Sequence, residues 1–68
     1  MIVTTLNSVY HVRADGNGKW LVTKLRALQH SEYITLGETR ISWRAEIQVG
    51  KPAIFDTWRT STTVSVED

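Results

Sequence analysis

A chain of 68 residues without a single cysteine excludes a disulfide framework and a thiolate metal site, two common supplements to a core this small. Eight Lys and Arg against seven Asp and Glu give a net charge of +1 with no run of like sign, which leaves no basic footprint for nucleic acid. No apolar stretch approaches the ~18 residues of a membrane span and no leader pattern follows Met1. The expectation is one cytoplasmic domain over residues 1–68, a complete small gene product with no membrane association.

Residues 2 to 12 are rich in β-branched and aromatic types and contain no Gly or Pro, as strands do. Neither alternating face is wholly apolar: one carries Ile2, Thr4, Leu6, Ser8, Tyr10 and Val12, the other Val3, Thr5, Asn7, Val9 and His11. Asn7-Ser8 is therefore expected to mark a bulge or a two-residue turn that splits the stretch into two strands. Asp15-Gly16-Asn17-Gly18 follows, and its residues tolerate positive φ between apolar runs, which makes it the strongest hairpin signal in the chain. Residues 19 to 28 fit two templates. Leu21, Leu25 and Leu28 have helical spacing, which leaves a short helix at 20–28 open, but the tight turn just before them favours a strand antiparallel to residues 8 to 14.

After the polar break Gln29-His30-Ser31-Glu32 comes a short apolar run, Tyr33 to Leu36. Residues 41 to 49 then alternate apolar and polar without a miss, which predicts a single strand with Ile41, Trp43, Ala45, Ile47 and Val49 on its dry face. Pro52 has no amide donor and belongs at the start or edge of the next strand, over residues 53 to 58. Thr60 to Val66 supply the last strand. Five or six short antiparallel strands predict an all-β fold, either a small SH3-like or OB-like barrel or a compact sandwich, with a meander favoured by the short turns. So short a chain buries only ~60% of its unfolded surface, and the first and last strands, uncharged in their middles, have weakly protected edges. Both features point to self-association.

The opening Thr4-Thr5-Leu6-Asn7-Ser8-Val9-Tyr10, the later Val49-Gly50-Lys51-Pro52-Ala53 and the closing Thr60 to Glu67 resemble small uncharacterised β-rich proteins of actinobacteria and their phages. The resemblance covers less than half of the chain and brings no functional residues with it. It implies a β-rich accessory protein of a bacterium, plasmid or phage.

No catalytic or metal-binding constellation is legible. His11 with Ser8, Asp15 or Asp56 contains the right residue types for acid–base work, but sequence alone gives them no proximity, and neither a nucleophile elbow nor a phosphate-cradling loop accompanies them. The expectation is a non-catalytic protein-interaction or structural module without cofactor, whose partner is another protein or a second copy of itself, with Tyr33, Phe55 and Trp58 as candidate contacts. The alternative is a nucleic-acid-binding barrel in which Trp20 stacks on bases while Arg26, Arg44 and Arg59 meet phosphates.

Overall fold

The computed structural model describes residues 1–28, 36–56 and 58–68, so Tyr33 and most of the expected apolar run around it lie outside the described residues. The chain is all-β. Six antiparallel strands, β1 (Ile2–Thr5), β2 (Ser8–Ala14), β3 (Trp20–Ala27), β4 (Thr39–Ser42), β5 (Pro52–Ile54) and β6 (Arg59–Glu67), form one sheet in the order β4-β3-β2-β1-β6-β5. The sheet curls into a half-barrel. β1 to β4 are a meander, and the β5–β6 hairpin joins its far side by pairing β6 with β1. Residues 20–28 are strand rather than helix through residue 27.

Local chemistry sets the two tight hairpins. Between β1 and β2 the turn is Leu6-Asn7, and neither residue adopts positive φ. The Thr5 hydroxyl takes over the turn's bonding by accepting the Ser8 N–H (3.1 Å), while Leu6 N–H reaches Thr62 C=O (3.1 Å) and Leu28 N–H reaches Asn7 C=O (2.7 Å). Between β2 and β3 the signal in the sequence is confirmed. Gly16 and Gly18 take φ of 87° and 81°, and one carboxylate oxygen of Asp15 accepts the N–H groups of Asn17 (2.7 Å) and Lys19 (3.1 Å).

Those bonds favour the charged form of Asp15 and hold its pKa below the ordinary 3.8, with the Asn17 amide as the first cause. A depressed carboxylate pKa contributes stability above the unfolded value, and that contribution is lost as pH falls through the folded one. Acid unfolding of Asp15→Asn should therefore show a shallower loss of stability below about pH 4 than the parent protein, measured by chemical denaturation across that range. An unchanged pH slope would mean that the turn does not discriminate between the two protonation states.

The concave face of the sheet holds the core: Val3 from β1, Tyr10 and Val12 from β2, Val22 from β3, Ala53 from β5 and, just beyond it, Phe55. Met1, Trp20, Ala45, Ile47 and Trp58 pack against this cluster from its margins. Thr5, Ser8, Lys24, Ser42, Thr60 and Thr63 are buried as well, so half of the fully buried set is polar. Among them Thr63 Oγ1 and Ser8 Oγ have no hydrogen-bond partner among the described residues. A buried unpaired hydroxyl costs about 1–3 kcal/mol. Thr63→Val keeps the branched shape and removes the orphan oxygen, so it should raise the unfolding free energy by about 1 kcal/mol, read from the urea midpoint at constant m value. A loss of stability would show that the hydroxyl is satisfied by solvent.

Two expectations fail here. The strand predicted over 41 to 49 ends at Ser42, and its inward residue is that serine, 1% exposed, while Ile41 and Trp43 are 61% and 70% exposed. Ser42 Oγ donates to Arg44 C=O (2.5 Å) and accepts from Asp56 N–H (3.2 Å), which bends the chain away from β3 and towards β5. There Glu46 forms an isolated bridge with Ile54, and only Ala45 and Ile47 of the five alternating apolar residues pack on the core. The second correction concerns the edges. β1 and β6, the first and last strands, pair with each other inside the sheet, and the true edges are β4 and β5.

Candidate interaction surface

The sequence-derived contacts are scattered. Phe55 is fully buried, so a surface role is withdrawn for it. Trp58 is half-buried against the core, its ring centroid 4.5 Å from that of Phe55 and 6.2 Å from that of Tyr10, and it serves mainly as the core's lid. Of the nucleic-acid set, Trp20 is half-buried on the concave side. Arg26 stands six residues further along β3, about 20 Å at strand rise. A register shift between them turns Arg26 to the convex face opposite Val9. The Arg44 guanidinium is engaged by Glu46, which raises its pKa above the ordinary value. Arg59 lies across from Ile54 at the β5 edge. The structure does not bring these four into one platform. Nor does it assemble the His11 set: Ser8 is buried on the concave face, His11 pairs with Ile2 and Thr23 on the convex one, and Asp15 is committed to its turn. No cluster of three metal-ligating side chains exists among the described residues.

What the fold does display is the outer margin of β4. In the β3–β4 ladder, Lys24 N–H donates to Glu38 C=O (3.2 Å), and the same phase along the register sets the backbone groups of Arg40 and Ser42 towards β3. Those of Thr39 and Ile41 therefore point outwards, and they have no backbone partner among the described residues. Ile41 lies beside Leu21 on the convex face. Trp43 follows at the strand end, where its N–H donates to both carboxylate oxygens of Asp56 (2.8 and 3.0 Å). Lys19 Nζ sits 4.2 Å from the centroid of the Trp43 ring, a cation–π contact of about 0.5–1 kcal/mol at an exposed site. An indole is thus held by its backbone on one side and by an ammonium on its face, yet leaves most of its surface to solvent.

This margin was missed at the sequence level because the unbroken alternation assigned Trp43 to the dry face. The available signal was Ser42-Trp43-Arg44 followed by Asp56, since a Ser and an Asp can redirect backbone bonding out of a ladder. Other exposed apolar side chains include Leu6, Leu25, Leu28 and Leu36. Leu28 and Leu36 flank residues 29–35 in sequence. Among the described residues no helix is long and apolar enough to cross a membrane. No family model, no curated protein and no solved structure matches the chain.

Proposed function

We propose that the protein is a small non-catalytic interaction module that self-associates along the β4 margin. The observation that carries the reading is the pair Ile41 and Trp43, 61% and 70% exposed beside an edge strand whose outward backbone groups are unpaired among the described residues. In a second β4 antiparallel to the first, the Ile41 backbone groups pair with their own copies and the Thr39 N–H meets the Trp43 C=O, while the apolar pair is covered. The two-fold register centred on Ile41 sets Ile41 against its own copy and Thr39 against Trp43, with no like charges opposed. The register centred on Arg40 sets two guanidinium groups face to face and is disfavoured.

Light scattering during size-exclusion chromatography tests this directly. The parent chain should elute as a multiple of 7.7 kDa, and Ile41→Thr with Trp43→Ala should return it to that mass with unchanged circular dichroism. The substitutions expose no core, so folding should survive them. A parent chain that remains monomeric at about 1 mM, where an association of about 4 kcal/mol would be half complete, overturns the reading.

The balanced charge and the dispersal of Trp20, Arg26, Arg44 and Arg59 speak against the nucleic-acid alternative, whose signature would be binding that weakens steeply with salt.

A further inference from the structure

At the edge opposite β4, a cavity of about 480 Å³ opens between β5, the start of β6 and the segment that precedes β5. This volume lies within the ~300–1,000 Å³ of small-molecule sites. Its apolar lining comes from Ile47, Pro52 and Ile54, and its charged lining from Glu46, Lys51 and Arg59. The walls are fixed by backbone bonds. Glu46 and Ile54 exchange two of them, each 2.9 Å, and Thr63 N–H holds Lys51 C=O at 2.9 Å. The first pair also occupies the outer side of β5, so an incoming peptide cannot add there as a strand.

The charges are unequally committed. The Glu46 carboxylate is engaged by Arg44, outside the cavity lining, whereas the side chains of Lys51 and Arg59 have neither an ion pair nor a hydrogen bond among the described residues. Two cations without a partner among the described residues therefore share the lining with three apolar residues, and the lining's one anion is already paired. A guanidinium presents paired donors that match a carboxylate, and an ammonium adds a point charge to the same oxygens. The apolar lining has no use for a compact inorganic anion, and the cations have none for a neutral hydrocarbon.

We infer that this cavity binds a free aliphatic carboxylate, with the chain against Ile47, Pro52 and Ile54 and the head between Lys51 and Arg59. The site is independent of the β4 margin and does not require self-association.

Amide NMR titration of the full chain with decanoate, 1-decanol and acetate, all below micellar concentration, tests the assignment. Decanoate should give saturable shifts centred on residues 46–54 and on Arg59, with decanol and acetate each about tenfold weaker or more. Lys51→Ala with Arg59→Ala, both at exposed positions, should weaken decanoate about tenfold and leave decanol unchanged. Three results would overturn the inference: no saturable binding, equal affinity for decanoate and decanol, or shifts centred on Ile41 and Trp43 or on Leu6 and Leu28. Decanoate affinity that survives the double substitution would overturn it as well.

Discussion

Phe55→Ala is expected to remove a third or more of the domain's stability, about 3–5 kcal/mol. Phe55 is the largest fully buried side chain, and its ring supports Trp58 at 4.5 Å, which in turn reaches Tyr10 at 6.2 Å. Truncating a buried Phe costs about 3–5 kcal/mol, from lost transfer free energy and from the cavity left behind. A domain of this length has about 3–10 kcal/mol in total, at the usual stability per residue. The other buried apolar residues among those described are Val3, Tyr10, Val12, Val22 and Ala53, and the small ones cannot swing into the space. Phe55→Leu retains most of the volume and should remain folded, with a loss of about 1.5 kcal/mol or less. Urea unfolding followed by tryptophan fluorescence separates the two, since Trp58 reports on the cluster itself. A loss below about 2 kcal/mol for Phe55→Ala would mean that the sheet, and not this aromatic stack, carries the core.

The hairpins were legible because their determinants are local. Asp15 to Gly18 encode both the positive φ values and the carboxylate that collects the turn's amides, so no tertiary information was needed. Residues 2 to 12 were half legible. The mixed faces of that stretch record the Leu6-Asn7 turn, which moves the buried parity from Val3 and Thr5 to Ser8, Tyr10 and Val12. Sheet order was not legible. That β6 pairs with β1 depends on contacts between opposite ends of the chain, and no periodicity reports them.

Residues 41 to 49 show why a clean pattern can mislead. Alternation fixes the sides of a strand only while one ladder continues, and here the chain leaves β3 after Ser42 to approach β5. The apolar residues then divide: Ala45 and Ile47 reach the core after the bend, while Ile41 and Trp43 remain outside. Phe55 followed the opposite course. It was expected at the surface, and it became the centre of the core because Thr60 and Asp56 organise the backbone on either side. Thr60 Oγ1 accepts the Ala53 N–H (3.0 Å), and Asp56 N–H is tied to Ser42. Side-chain-to-backbone bonds of this kind decide the site, and a hydrophobicity pattern does not encode them.

Ser42→Ala should therefore have a larger effect than the loss of one surface hydroxyl. Ser42 is 1% exposed, and its oxygen uses its full bonding capacity: it donates to Arg44 C=O and accepts from the N–H groups of Arg44 (3.3 Å) and Asp56 (3.2 Å). Removing it strands three partly buried backbone groups at the junction of β4 and β5, and the expected cost is about 1–3 kcal/mol. Amide hydrogen exchange should localise the damage, with faster exchange at Trp43, Arg44 and Asp56 and unchanged protection in the β1–β2 hairpin. Asp56→Asn retains an acceptor for Trp43 N–H but loses its charge, so it should cost about 1 kcal/mol at the same amides. Because both substitutions act on one junction, their effects should fall short of additivity in a double-mutant cycle. Ser42→Ala should also weaken self-association, although the buried side chain can touch no partner, because it releases the backbone that holds Trp43 outwards. Full self-association alongside accelerated exchange at Trp43 would show that the indole needs no fixed bend to engage its copy, and the contact would then rest on Ile41 and the open backbone of β4 alone.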